Sequence, residues 1–257
     1  MTSPEPLDID EARALSREAA LSRLLSGSGS DSDVAVIDLP LPGARVIALR
    51  PRDARRLPYL LAGLARERHL LVVPYADNAI ALVRNLPRHA DHDQALKTAT
   101  RLATLAGRLQ PDVHAGISAP LQTHADIFAA ARDARDAATV AEERGRQWLC
   151  VDEIWAELVA RRLRDLLPQC LTSEHPLAQL LDHDRRNGSS FARTVATWLA
   201  HQGDTIRTAR HLCLHPNTLR YRLRRARDLS GLDLSDSTQM LVAQLLLDSP
   251  TRPRAMA

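Results

Sequence analysis

Arginines concentrate in one short stretch of this chain of 257 residues. Seven of them fall between Thr205 and Arg227, and no aspartate or glutamate interrupts that interval. Guanidinium groups bind phosphates and base edges through paired N–H donors. Asn217, Thr218 and Tyr221 lie among the arginines and add neutral hydrogen-bonding groups. The chemistry of this stretch therefore suits an anionic polymer that also offers donors and acceptors, as a nucleic acid does.

Two short helices are predicted to carry these side chains. The first covers about residues 205–212, with Asp204 as its N-cap. Its apolar side contains Ile206, Ala209 and Leu212 at helical spacing. Because Ala209 is small, it allows a second helix to approach closely.

The second helix is predicted to begin at Pro216, whose missing N–H costs nothing in a first turn, and Gly231 ends it. At 100° per residue, one side carries Leu219, Leu223, Ala226 and Ser230. The opposite side carries Asn217, Tyr221 and Arg224. Such a pair is typical of a helix-turn-helix, which places the N-terminal part of its second helix in the major groove of DNA.

Each polar side chain of the pair receives a predicted role. The side chains that point furthest from the packing face are predicted to contact bases: Asn217, Tyr221 and Arg224. Their neighbours are predicted to hold phosphates: Thr218, Arg220 and Arg225, with Arg207 and Arg210 on the first helix. His215 is able to meet a base edge or a phosphate. Arg222 lies nearer the packing face, so it is expected to bind an intramolecular partner or a backbone phosphate.

The composition is that of a globular protein, 45% hydrophobic and 25% charged, and the length allows two domains. The net charge is only +3, so the position of the positive charge matters more than its total. No apolar run approaches the roughly 18 residues of a membrane helix, and the acidic N-terminus is unlike a signal peptide. Cys150, Cys170 and Cys213 form no C-x-x-C pair and are interpreted as buried apolar residues in a reducing compartment. The predicted location is cytoplasmic.

Upstream of the arginines, strand and helix patterns alternate up to residue 151. A helix over residues 8–25 leads into a Gly/Ser segment. The predicted strands are Val34–Leu39, Arg45–Leu49, His69–Pro74, Ala79–Val83 and Val113–Ser118, with a short apolar piece at Trp148–Val151. The predicted helices cover residues 53–67, 93–109 and 124–144.

From Asp152 onward only helices are predicted. The first, Ile154–Leu167, is expected to end at Pro168. A short helix through Leu180 and Leu181 precedes a break at residues 182–190, and a helix through Phe191 and Leu199 follows it. A final helix is expected with Ser235 as N-cap. Four segments result: an N-terminal helix and linker (1–30), an α/β domain (31–151), a helical connector (152–187) and a helix-turn-helix domain (188–257).

The run HPNTLRYRLRRARDLSGLDLSD, with the flanks before it, closely resembles the C-terminal helix-turn-helix domain of the PucR and CdaR (sugar-diacid regulator) family of bacterial transcription factors. This resemblance covers about residues 175–248. Upstream, VHAGISAPLQTHADIFAAARDARDAATVA resembles the end of the GGDEF-like domain that precedes the DNA-binding domain in that family. The resemblance implies an α/β GGDEF-like domain followed by an all-α helix-turn-helix domain.

No catalytic site is predicted in the α/β domain. A diguanylate cyclase needs acidic residues at its central hairpin to hold Mg²⁺, and the corresponding stretch here reads YADN, with Asp77 alone. The stretch HADHD, residues 89–93, has ligand-type side chains but no recognised metal spacing, and is interpreted as a polar loop with a helix cap. Neither a metal nor a cofactor is predicted.

The sequence therefore predicts a non-enzymatic, sequence-specific transcriptional regulator. Its predicted partners are double-stranded DNA and a second copy of the chain, with a small-molecule effector left open and no membrane partner. Two other classes remain open: a protein-interaction module whose basic helix binds an acidic partner, and a ligand-binding or enzymatic α/β protein with an incidental helical tail.

Overall fold

The computed structural model describes residues 9–37, 43–64, 70–83, 94–170 and 174–247. The chain divides into two compact units, residues 1–158 and 159–257. The elements up to the division are α1 (Ile9–Leu25), α2 (Asp31–Ile37), β1 (Arg45–Pro51), a 3-10 turn (Ala54–Arg56), α3 (Leu57–Leu64), β2 (Leu70–Tyr75), β3 (Asn78–Val83), α4 (Gln94–Leu109), β4 (Val113–Ile117), α5 (Asp126–Glu143), β5 (Trp148–Cys150) and α6 (Val151–Cys170), in which the division falls.

The first unit is built on a five-stranded sheet in the order β2-β3-β1-β4-β5. All neighbouring strands are antiparallel except β4 and β5, which are parallel. Successive residues of β1 point to opposite faces, as the period of two in a strand requires. Val46 packs with α1 and α5 on one face, and Ile47 packs with α3 and α4 on the other. Helices on both faces of a mixed sheet confirm the predicted α/β fold class.

One predicted strand is wrong. Residues 31–37 form α2, whereas Val34–Leu39 was expected to be extended, and residues 38–42 lie outside the described part of the chain. The Asp33 carboxylate accepts a hydrogen bond from the Ser30 N–H at 2.9 Å and from Arg23 Nε at 2.8 Å. The Asp33 carboxylate therefore satisfies a backbone N–H at the start of the helix, and this outweighs the strand preference of the β-branched residues that follow.

The N-terminal helix belongs to the core of the first unit. Leu21 and Leu25 of α1 are almost fully buried beside the sheet and α5. The sequence predicted a connecting helix and a flexible linker over residues 1–30, because an amphipathic pattern does not reveal which surface the apolar side covers. The predicted segment boundaries at 30, 151 and 187 stay predictions.

The second unit is helical throughout its described part. After α6 its helices are α7 (Pro176–Asn187), α8 (Phe191–Ala200), α9 (Thr205–His211), α10 (Pro216–Ser230) and α11 (Ser237–Leu247). Four of them, α7, α8, α10 and α11, contribute to one apolar cluster that includes Leu180, Val195 and Leu199. This arrangement confirms an all-α second domain.

Three predicted helix ends are wrong. α6 continues through Pro168 to Cys170. Proline lacks a single N–H donor, and Pro168 lies in the last turn of α6. Few backbone hydrogen bonds of the helix are therefore lost. α7 continues through the predicted break as far as Asn187 and ends at Gly188, which has φ 62°. α11 is capped by Asp236, whose Oδ1 accepts from Thr238 N at 2.8 Å, and not by Ser235.

Candidate nucleic-acid interface

The first helix of the pair, α9, begins as its sequence predicts. Asp204 Oδ1 accepts hydrogen bonds from the backbone N–H groups of Ile206 and Arg207, both at 2.9 Å. These two donors have no partner inside the helix, so the carboxylate satisfies them. Its negative charge also interacts favourably with the positive end of the helix dipole. The predicted N-cap is confirmed.

The second helix, α10, also has the predicted ends. It begins at Pro216 and runs to Ser230, and Gly231 follows with φ 74°. His215 stands at the N-cap, where its Nδ1 accepts from Asn217 N at 3.2 Å. In a neutral imidazole this leaves the Nε2–H as the group of His215 that remains able to donate outward.

The buried side of α10 is the predicted one. Leu219 and Ala226 are fully buried, and Leu223 is partly buried against the same cluster as Val195 of α8. Ser230 is buried too, and its Oγ donates to the carbonyl of Ala226 at 2.8 Å. Packing along this side fixes which face of α10 is presented to solvent.

The packing side of α9 differs from the prediction at one residue. Ile206 was expected to pack inward, but its side chain is 63% exposed. The buried positions are Thr208 and Ala209. At 100° per residue, Ile206 points about 110° away from the mean direction of Thr208 and Ala209 around the helix axis. The side of α9 that buries Thr208 and Ala209 therefore does not include Ile206.

The connection between the helices includes an exposed cysteine. Cys213 adopts φ 55°, a left-handed conformation, and its N–H donates to the Arg210 carbonyl at 3.2 Å. Leu214 N donates to Ala209 O at 2.8 Å and closes the turn. The interpretation of the cysteines as buried is therefore wrong for Cys213. It holds for Cys150, where burial raises the pKa of the thiol.

The side of the pair that faces solvent carries the predicted contact residues. Each of the nine is exposed: Arg207, Arg210, His215, Asn217, Thr218, Arg220, Tyr221, Arg224 and Arg225. Tyr221 retains 60% of its accessible surface, an unusual amount for an aromatic side chain in a folded domain. The exposed groups thus combine cations, an amide, hydroxyls and an aromatic ring on one surface.

Two arginines in the first turns of α10 have intramolecular partners. Arg222 donates to Thr194 Oγ1 at 3.3 Å and to Ser190 Oγ at 3.1 Å, and its guanidinium lies 5.8 Å from the centre of the Phe191 ring. The predicted intramolecular partner of Arg222 is confirmed, and this side chain ties α10 to α8. Arg220 Nη1 donates to Asn217 Oδ1 at 2.9 Å, which leaves the amide NH₂ of Asn217 directed elsewhere.

Four other arginines of the helix pair have no such partners. Within the described ranges, Arg207, Arg210, Arg224 and Arg225 form no side-chain hydrogen bond or ion pair. Arg227 differs, because Asp228 lies 3.8 Å from its Nε. The four solvated guanidinium groups attract polyanions through the phosphate charge.

One supporting residue was missed in the sequence. Asp184 Oδ1 accepts from Phe191 N at 2.9 Å, and its Oδ2 accepts from Ala192 N at 2.8 Å. It therefore caps α8, the helix on which α10 packs, from the preceding helix α7. Asp184 sits seven residues before Phe191, outside the spacing of a local cap, so the sequence pattern carried no signal for it.

In the first unit, the hairpin that reads YADN has a two-residue turn, since Tyr75 pairs with Asn78. Its Asp77 Oδ1 lies 4.0 Å from Arg135 Nη2, and the Arg135 guanidinium lies 5.2 Å from the centre of the Tyr75 ring. A guanidinium beside this carboxylate opposes the binding of a divalent cation there. The stretch HADHD lies outside the described residues, and the described residues contain no cluster of three His, Cys, Asp or Glu suited to a metal ion.

None of the described helices is both long enough and apolar enough to cross a membrane.

Known proteins resemble both units. A family model for the PucR C-terminal helix-turn-helix domain matches residues 191–248, and a model for the GGDEF-like domain matches residues 29–140. The carbohydrate diacid regulator of Escherichia coli (strain K12) is 41% identical over 75 residues, 28% of this chain and 19% of that protein. An uncharacterized protein in the pkwA 5′ region of Thermomonospora curvata is 36% identical over 111 residues, 35% of this chain and 61% of that protein. The matches thus span less than two thirds of the length of either relative.

A solved structure is also similar, that of a regulator of polyketide synthase expression from Bifidobacterium adolescentis. The match covers 95% of this chain and 94% of that chain, with 20% identity and a TM-score of 0.40. With a GGDEF-like domain followed by a PucR C-terminal helix-turn-helix domain, the chain belongs to the PucR/CdaR family of transcriptional regulators.

Proposed function

We propose that this regulator binds double-stranded DNA in a sequence-specific manner and inserts the first turns of α10 into the major groove. The observation that carries the proposal is the division of α10 into two sides. Leu219 and Ala226 are buried, while Arg224 and Arg225 are exposed and, among the described residues, unpaired. In a helix-turn-helix the exposed side of the second helix is the one that enters the groove.

The roles of individual side chains form the finer part of this proposal. Asn217, Tyr221 and Arg224 contact base edges, where an amide suits adenine and a guanidinium suits guanine. Thr218, Arg220 and Arg225 hold phosphates on either side, His215 adds its Nε2–H, and Arg207 and Arg210 hold phosphates from α9. The hydrogen bond from Arg220 engages the Asn217 Oδ1, so the amide NH₂ of Asn217 is able to donate to a base edge.

The regulator is further proposed to act as a homodimer. Large apolar side chains remain exposed on two helices, Trp155 at 63% on α6 and Leu241 at 58% on α11, and their burial against a second copy is favourable. A dimer of helix-turn-helix domains binds two half-sites about one helical turn apart. Light scattering of the free chain is expected to give the mass of a dimer, and the bound DNA is expected to contain a palindrome.

Selection of bound fragments from random DNA tests the proposal. The expected result is a short conserved motif, bound with an affinity that falls steeply with salt. Recovery of unrelated fragments with equal affinity would leave only non-specific binding. A lack of salt-sensitive binding to any DNA would favour the alternative, in which the basic helix binds an acidic protein.

The GGDEF-like domain is proposed to have no cyclase activity. Its hairpin offers a single carboxylate, Asp77, with Arg135 beside it. Incubation of the full chain with GTP and Mg²⁺ is expected to leave the nucleotide unchanged, and formation of a cyclic dinucleotide would contradict the proposal.

A further inference from the structure

A cleft of about 530 Å³ lies within the first unit, between α4 and the edge strand β5. One side of α4 supplies most of its described lining residues, and β5 contributes Trp148. The volume falls in the range of sites for small molecules, roughly 300–1,000 Å³.

The α4 side of the cleft is cationic. Lys97, Arg101 and Arg108 line it, and neither α4 nor any described residue of the lining contains a carboxylate. Arg101 and Arg108 are exposed and form no side-chain hydrogen bond or ion pair with other described residues. Seven residues of helix separate them by about 10 Å, so the two guanidinium groups are positioned for an extended anion or for two anionic groups.

Gln147, directly before β5, lies close against α4. A Cβ atom at Gly107 would lie 1.7 Å from Nε2 of Gln147, so a larger residue at 107 would displace the end of this flexible side chain. The next residue is Trp148, which is partly buried against the core between the sheet and α4. An indole face at the edge of a cationic cleft suits a flat ring that stacks on it.

Two threonines add hydrogen-bond acceptors between the cations and the ring. Thr100 Oγ1 donates to Lys97 O at 3.0 Å, and Thr104 Oγ1 donates to Thr100 O at 2.8 Å. Since each hydroxyl proton is already engaged, each oxygen presents its lone pairs and accepts from a ligand N–H or O–H.

We propose that this cleft binds a nucleotide, with the base against Trp148 and the phosphates against Arg101 and Arg108. A bare phosphate or sulfate would use the cations but neither the ring nor the span between the arginines. A neutral aromatic compound would leave the cations unused. The cleft lies on the opposite side of the sheet from α5, and its ligand does not depend on whether α10 binds DNA.

Isothermal titration of the full chain tests this inference, with ATP and GTP as probes and with tripolyphosphate, adenosine and guanosine as their separate parts. We expect a nucleotide to bind more tightly than either of its parts. Arg101→Ala and Arg108→Ala should each weaken nucleotide binding about tenfold, as the loss of a charge-assisted hydrogen bond does. Trp148→Leu keeps an apolar side chain in the core and should weaken nucleotide binding while leaving tripolyphosphate binding unchanged.

Arg132→Ala is the matched control, because Arg132 is a partly exposed arginine on α5, across the sheet from the cleft. It should bind nucleotides as the unmodified chain does. Three results would overturn the inference: no binding of either nucleotide at about 1 mM, equal binding of GTP and tripolyphosphate with no effect of Trp148→Leu, or equal losses for Arg132→Ala and Arg101→Ala. Since no DNA is present in the titration, its failure is separate from a failure of the proposed regulator function.

Discussion

Two helices of this protein, α10 and α4, carry several cations, and they present them differently. On α10, Arg224 and Arg225 project from an exposed helix surface into solvent. On α4, Arg101 and Arg108 line a cleft that Trp148 closes on one side. A convex row of guanidinium groups fits the groove and backbone of a duplex, whereas a concave one beside an aromatic ring fits a small ligand. Similar charges therefore indicate different partners because the surrounding shape differs.

The largest expected effect separates the two helices directly. Reversal of charge on α10, by Arg224→Glu with Arg225→Glu, should lower affinity for the selected DNA about a thousandfold, since two charge-assisted contacts become repulsive. Nucleotide binding by the α4 cleft should not change. The measurement is fluorescence anisotropy with labelled DNA beside the titration of nucleotide.

The matched control is Arg185→Glu with Arg186→Glu on α7, which changes the net charge equally within the second unit. Both arginines pair with Asp182, and we expect a much smaller loss of DNA affinity. Equal losses for the two double variants would mean that overall charge, rather than the exposed side of α10, governs binding.

Single substitutions sharpen the assignment within α10. Arg224→Ala should cost about 1–3 kcal/mol on the selected site if this side chain contacts a base, with little change on random DNA. Arg225→Ala should weaken both kinds of DNA alike and reduce the salt dependence by about one unit. Anisotropy titrations at several salt concentrations give both quantities, and identical profiles for the two variants would remove the distinction between base and phosphate contacts.

Removal of the Asp204 cap tests how much the stability of α9 depends on it. Asp204→Ala removes the acceptor of two backbone N–H groups and should lower the free energy of unfolding by about 1 kcal/mol. Asp204→Ser restores an acceptor and should recover most of that loss. Thermal unfolding measures both, and a stability of Asp204→Ala equal to that of the unmodified chain would show that α9 forms without its cap.

The smallest effect concerns acid stability of the first unit. Hydrogen bonds from Arg23 and Ser30 to the Asp33 carboxylate lower the pKa of this carboxyl group from 3.8 to about 2. Because the pKa is lower in the folded state, the carboxylate stabilises the fold above its unfolded pKa, and the contribution disappears as the pH falls from about 4 to about 2. Asp33→Asn should reduce stability at pH 7 and flatten its dependence in that window, as measured by denaturant unfolding. An unchanged slope would assign the acid sensitivity to other carboxylates.

Local rules accounted for the features of the helix pair that depend on neighbouring residues. Asp204, Pro216 and Gly231 mark helix ends through backbone chemistry that acts within a few residues, and all three were predicted from their positions alone. The buried side of α10 followed from the spacing of Leu219, Leu223 and Ala226. Arg222 was expected to bind either an intramolecular partner or a backbone phosphate, and the structure shows the former.

Two of the misses share one physical cause. The helix at residues 31–37 depends on Arg23, ten residues upstream of Asp33, and the cap of α8 depends on Asp184 of another helix. Neither contact leaves a periodic pattern. Ile206 looked internal because one apolar stripe was drawn through a helix of only seven residues, and packing selected Thr208 and Ala209 instead.

The sequence by itself therefore determined the type of most elements, the ends of the helix pair and the polar side of α10, since caps, turn residues and periodicity act over short distances. Tertiary structure alone decided that α1 packs into the core of the first unit and that Arg222 binds α8. It also decided that Trp148 of β5 lies beside the cations of α4. These outcomes rest on contacts between residues far apart in the chain, where packing and desolvation outweigh local preference.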